Sequence, residues 1–165
     1  MITPGLDRER RLWARGLHAI AGLDEAGRGA WAGPVVAAAV ILPPYQRNLL
    51  TALKGVRDSK TLSPAQRARL DPVIRSTAFA VGVGLASSRF IDERGIIAAT
   101  RMAMEMAIDN LGLAPDHLLI DALRLPDLSI PQTALIKGDA HVLSIAAASI
   151  VAKVFRDRLM AEMGQ

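Results

Sequence analysis

The chain has 165 residues, 51 % hydrophobic and 22 % charged, with a formal charge of +4 and no cysteine. That balance suits one globular domain over residues 1–165 with a sizeable core, and excludes a disordered chain, disulfides and thiolate metal sites. No apolar stretch is long enough and free enough of charge to span a membrane, and the N-terminus does not read as a signal peptide. A cytoplasmic protein without a membrane partner is expected.

In chain order, Asp7-Arg-Glu-Arg-Arg-Leu-Trp-Ala-Arg15 predicts an amphipathic helix with Leu12 and Trp13 turned inward and the arginines solvated, although the same arginines could contact phosphates. Residues 18–42 read as two strands joined through the turn Asp24-Glu-Ala-Gly-Arg-Gly29. Ser63-Pro-Ala-Gln66 starts a helix, with Ser63 as N-cap, Pro64 at the first helical position and Gln66 closing a capping box. Residues 78–85 fit a third strand, residues 89–111 a helical region, residues 117–121 and 132–136 two short strands, and residues 139–163 a long final helix. The order predicts a β-meander followed by βαβ-like pieces: an α/β fold with one mixed sheet and helices on both faces.

Asp24 and Glu25 stand side by side between two apolar runs, ahead of Gly27-Arg28-Gly29. Two adjacent carboxylates at the edge of a core strand are costly unless a cation neutralises them. A basic, backbone-exposed loop beside them is what a metal-dependent phosphate site needs. The alternative is a solvated turn, where acids and glycines are common, and spacing alone leaves both open. Asp121 closes an apolar strand, as a third site acid or as a turn initiator. Asp139 directly precedes the long helix, where Asp is among the best N-caps, and on sequence physics alone the cap is favoured. Ser149, Lys153 and Arg156 form a polar helical stripe, either phosphate-holding or solvated with Lys153 pairing to Asp157. Asp58-Ser59-Lys60 is a turn or a phosphate clamp. Gly82-Val-Gly84 lacks a third glycine, and Gly27-Arg-Gly29 leads into a strand, so a dinucleotide fold is rejected. His18, His117 and His141 lack zinc-like spacing. Any metal is therefore expected to be hard and oxygen-ligated, Mg²⁺ or Mn²⁺. The positive charge suits a polyanionic partner.

Five segments resemble ribonuclease HII, the type 2 ribonuclease H family: Gly22 to Gly29 with Gly33-Pro-Val-Val36, Asp58-Ser-Lys-Thr-Leu62, Leu119-Ile-Asp121, Lys137-Gly-Asp139, and Ser144 to Asp157. They occur in the family's order and cover nearly the whole chain. The resemblance implies a ribonuclease H-like mixed sheet flanked by helices. It implies an endonuclease that cuts the RNA strand of RNA/DNA hybrids and nicks duplex DNA at single ribonucleotides, leaving 5′-phosphate and 3′-hydroxyl ends. It assigns the catalytic, metal-holding acids to Asp24, Glu25, Asp121 and Asp139, in place of a capping role for Asp139. Two divalent ions roughly 4 Å apart are the implied cofactors. Gly27, Arg28 and Gly29 are expected to sense the ribose 2′-hydroxyl. Lys60, Ser149 and Lys153 are expected to bind substrate, and Asp157 to be structural. A monomer is expected. The family continues past the long helix into a Tyr-Gly…His-Lys-Gly-Tyr segment, whereas this chain stops at Gln165. A hybrid-binding but catalytically impaired module is the alternative that follows. Gly95 stands where many relatives carry Asn.

Overall fold

The computed structural model describes residues 2–29 and 32–164. A five-stranded mixed sheet runs through its centre in the order β3-β2-β1-β4-β5, from β1 (Ile20–Ala26), β2 (Val35–Ile41), β3 (Ala80–Ala86), β4 (His117–Asp121) and β5 (Gln132–Leu135). The β1–β2 and β2–β3 pairs are antiparallel, while β4 lies parallel to both β1 and β5. Strand β2 is wholly apolar and buried, and β1 and β4 are apolar and buried through their middles, as central strands must be.

One face carries α1 (Asp7–Ala14), α2 (Leu49–Ala52), α3 (Pro64–Thr77) and α7 (Leu143–Met163). Its core joins Trp13, Leu70 and Ile74 to Val36, Val40 and Leu119 through Ile145, Ile150 and Val151 of α7. The opposite face carries α5 (Ile96–Asp109), preceded by α4 (Ser88–Arg94). Ala99, Ala103, Met104 and Ala107 of α5 pack there on Leu23, Ala37, Ala39 and Ile120. Period-two alternation in β1, β2 and β4 thus feeds two separate cores. The ribonuclease H-like α/β architecture expected from the sequence is present, with helices on both faces.

Several local readings hold. Ser63 accepts from the Gln66 N–H at 3.1 Å while the Gln66 side chain accepts from the Ser63 N–H at 2.8 Å, a complete capping box. Leu12 and Trp13 are buried on the inner side of α1, and Arg8, Arg10 and Arg11 are exposed. Gly82 and Gly84 let β3 approach α5, since a Cβ on either would run into the carbonyl of Ala107 or Ala103. Close packing explains the pair that superficially suggested a nucleotide loop.

The helical region and the long final helix expected from the sequence are both present, and each is divided in two. Residues 89–111 divide at Gly95, whose φ of 88° and ψ of 164° belong to a region almost reserved for glycine. Residues 139–163 divide at Val142, which is extended, leaving α6 (Gly138–His141) ahead of α7. The cause is long-range. Gly5 forms a bridge with Val142, its N–H donating to His141 O at 3.1 Å and its carbonyl accepting from Leu143 N at 2.9 Å. The Glu9 carboxylate then accepts from Ser144 N at 3.0 Å. The N-terminal segment therefore satisfies the first free N–H groups of α7, a role local sequence usually fills. Among the described residues, no helix is long and apolar enough to cross a membrane.

Candidate active site

The register sets the centre of the site. Leu23 of β1 pairs with Ile120 of β4 in parallel, so Asp24 and Asp121 follow as neighbours at adjacent strand ends. Both project toward the face that carries α6 and α7, because Ile20 and Leu119, an even number of residues earlier on their strands, lie in that core. The Asp121 Oδ1 accepts the Gly138 N–H at 2.7 Å, which draws the start of α6 onto β4. Asp139 is thereby brought over the strand ends. One carboxylate oxygen from each of Asp24, Asp121 and Asp139 lies within 4.8 Å of the others. Asp139 sits in the first turn of α6, whose cap position is Lys137, and no side chain caps that helix. The capping role favoured by local sequence is absent.

Glu25 points to the opposite side of β1 from Asp24, yet its carboxylate borders the same cleft. Its N–H donates to Asp24 Oδ1 at 2.8 Å, and its Oε1 lies 3.8 Å from Arg28 Nη1. Glu25 Oε2 is buried without a hydrogen-bond partner. Buried polar oxygens are rarely left unmatched.

Burial and mutual repulsion shape the electrostatics. Asp24 is only 5 % exposed. Desolvation, followed by the charges of Glu25, Asp121 and Asp139, pushes its carboxyl well above the usual carboxylate range. Burial also raises Glu25, with repulsion from Asp121 adding to it and the Asp24 contact and Arg28 opposing it. Asp139 is pushed up to about 6 by burial and then by Asp121 and Asp58. Lys60 Nζ stands 3.9 Å from Asp139 Oδ2. Burial works against the Lys60 ammonium, but Asp139, Asp58, Asp24 and Asp121 outweigh it and raise its pKa. Such an all-oxygen cluster, short of positive charge, fits a hard divalent cation. Glu25 stands outside that group of three and lines the adjoining cleft.

Asp24, Glu25 and Asp121 open into a cleft of about 600 Å³, bordered also by the Gly27-Arg28-Gly29 loop, Ser59, Lys60, Ile96 and Lys153. Gly27 has a φ of 92°, and a Cβ there would strike the Arg156 guanidinium, so glycine is needed twice over. Arg156 itself is buried. Its Nε donates to Pro34 O at 2.9 Å and its Nη2 to Ala32 O at 2.8 Å, tying the far side of that loop to α7. The stripe on α7 is therefore not a solvated face. Lys153 borders the cleft and donates to Asp157 at 2.9 Å, as its spacing suggested. Ser149 is buried behind the cleft, donating to Ala146 O at 2.8 Å and accepting the Ser59 N–H at 3.2 Å.

Sequence reasoning passed over Glu9, Arg67 and Ile96. Glu9 falls three and four residues before Leu12 and Trp13, and Arg67 three and seven before Leu70 and Ile74. Helical spacing on a buried face was their available signal. Ile96 reaches the rim only because the chain breaks at Gly95.

Sheet order and acidic corner define a nuclease of the ribonuclease H-like class. A family model described as ribonuclease HII matches residues 21–165. A ribonuclease HII of Roseiflexus castenholzii is 55 % identical over 162 residues, covering 98 % of this chain and 72 % of that protein. The crystal structure of ribonuclease H2 from Pyrococcus horikoshii superposes with a TM-score of 0.75 and 30 % identity, over 88 % of this chain and 75 % of that one. The ribonuclease HII of Archaeoglobus fulgidus, solved in a complex with PCNA, gives 0.74 and 30 %, over 87 % and 74 %. The chain belongs to the ribonuclease HII family and is an endoribonuclease.

Proposed function

We propose that this chain is a divalent-cation-dependent endonuclease acting on the RNA strand of RNA/DNA hybrids and on single ribonucleotides embedded in duplex DNA, leaving 5′-phosphate and 3′-hydroxyl ends. The observation that supports this reading most directly is the convergence of Asp24, Asp121 and Asp139, one oxygen of each within 4.8 Å. Asp24, Asp121 and Asp139, with Glu25 at the edge, would hold Mg²⁺ or Mn²⁺ in a two-metal site. When bound, such ions acidify an attacking water and offset charge on the departing 3′-oxygen.

The chain's own groups do the rest. The Glu25 N–H orients the Asp24 carboxylate and the Gly138 N–H orients that of Asp121. Lys60 and Lys153 present ammonium groups to the phosphates of the bound strand. Arg28, partly withdrawn toward Glu25, borders the cleft with Gly27 and Gly29, where backbone groups without side chains can approach a 2′-hydroxyl. Ser149 reaches the substrate side through Ser59, whose backbone it holds.

The test is a pair of end-labelled duplexes, one all DNA and one carrying a single ribonucleotide, incubated with Mg²⁺, with Mn²⁺ and with chelator. Cleavage confined to the ribonucleotide duplex and to the cation-containing reactions is expected, with product mobility marking a 5′-phosphate. Equal cutting of both duplexes overturns the specificity, and undiminished cutting in chelator overturns the metal dependence.

A further inference from the structure

Arg67 lies on α3 behind the cleft, only 8 % exposed. Its Nη1 donates to Ser59 O at 2.9 Å and to Leu62 O at 2.6 Å, bracketing the 3₁₀ turn Ser59–Thr61 at both ends. The same turn is held from α7 by Ser149, which accepts the Ser59 N–H at 3.2 Å, and from within by Asp58, which accepts the Lys60 N–H at 3.0 Å. Lys60 leaves this tethered backbone toward Asp139. On its other side, Arg67 Nη2 stands 3.6 Å from Asp157 Oδ2, and the second Asp157 oxygen takes Lys153 Nζ at 2.9 Å. One guanidinium thus touches both the turn that carries Lys60 and the acid that restrains Lys153.

A buried cation is costly, and apolar packing would serve α3 at least as well if stability were all that mattered. Two carbonyls and a carboxylate around one group need a planar fork of donors, which lysine lacks. We propose that Arg67 is a positioning residue for nucleic-acid binding: it sets Lys60 and Lys153 so that both ammonium groups meet phosphates of one bound strand. The inference rests on the reading of the cleft as the hybrid-binding site.

The test measures Kd for a short fluorescent RNA/DNA hybrid by anisotropy, in chelator at low ionic strength, with melting temperatures recorded for every variant. Arg67→Lys should weaken binding about tenfold in the wild-type background, the scale of one charge-assisted contact. In a Lys60→Ala/Lys153→Ala background it should change Kd by less than about twofold, because the groups it positions are gone. A merely structural arginine would lower the melting temperature and weaken binding equally in both backgrounds. If Arg67→Lys melts too low to assay, Ser149→Ala releases the Ser59 N–H from the opposite side and should show the same dependence on background. Equal losses in both backgrounds, or no loss in the wild type, overturn this inference alone. A wild-type protein that bound no hybrid would overturn the reading of the cleft and this inference with it.

Discussion

The two faces of the sheet are built from the same strands but treat polar groups differently. On the side of α1, α3 and α7, the structure buries Glu9, Asp24, Arg67, Asp71, Asp139, Ser144, Ser149 and Arg156, whereas on the α5 side, among the described residues, only Thr100 is a buried polar side chain. Thr100 merely donates to its own helix, at Ile96 O. The α5 face is a dry support of alanines, Met104 and the close glycine contacts of β3. The α7 face carries desolvation costs that a plain core would avoid. Those costs are concentrated around the cleft: Arg67 and Ser149 hold the Lys60 turn, Arg156 holds the glycine loop, and Glu9 steadies the start of α7 just after Asp139. The buried polar groups thus gather on one face, while Glu25 and Ile96 reach the cleft from the other.

Substitutions on the two faces should separate chemistry from stability. The largest effect belongs to the acids. Asp24→Asn or Asp121→Asn should lower cleavage of a ribonucleotide-containing duplex by about 10³-fold or more, read by single-turnover gel assay. The metal-free melting temperature should hold or rise, since one of several repelling charges is removed. An active Asp24→Asn would break the assignment of chemistry to this face. On the other face, Met104→Ala should cost about 2–5 kcal/mol. That corresponds to a loss of roughly 2–4 °C in melting temperature per kcal/mol, with turnover per folded molecule unchanged. A fall in turnover matching that of Asp24→Asn would erase the distinction between the faces.

The subtlest effect is on pH dependence. In the metal-free folded protein Asp139 keeps its proton up to about pH 6. An unfolded Asp releases its proton near pH 4. Between those values the folded state binds more protons, so metal-free stability should fall as pH rises from about 4 through 6, and Asp24 acts in the same direction. Saturating Mg²⁺ or Mn²⁺ favours the ionised carboxylates and should flatten or reverse that slope. Thermal melts at either end of this window, with and without cation, measure it. A slope indifferent to the cation would detach the acids from metal binding.

Much of the scaffold was legible because its signals are local. Apolar runs bounded by Pro and Gly mark β1, β2 and β4, and Ser63 with Gln66 marks the start of α3. The adjacent charges of Asp24 and Glu25 marked the corner of the site, and the spacing of Lys153 and Asp157 marked their ion pair. The misses share a cause. The break at Val142 depends on Gly5, the inward turn of Ser149 depends on Ser59, and the burial of Arg156 depends on the carbonyls of Ala32 and Pro34. None of these partners is near in sequence.

What the amino-acid order determined unaided is which segments become strands and helices and which carboxylates end them, since periodicity, caps and turn residues act over a few positions. Tertiary structure decided how they meet: Asp139, which local sequence favoured as a cap and the family resemblance placed in the site, stands beside Asp24 and Asp121, Glu25 lines the cleft from the other side of β1, and Arg67 reaches both the Lys60 turn and Asp157. The physical reason is range: a carboxylate or guanidinium acquires its role from the charges and carbonyls packed against it, and in this fold those come from segments as far as 135 residues away in sequence.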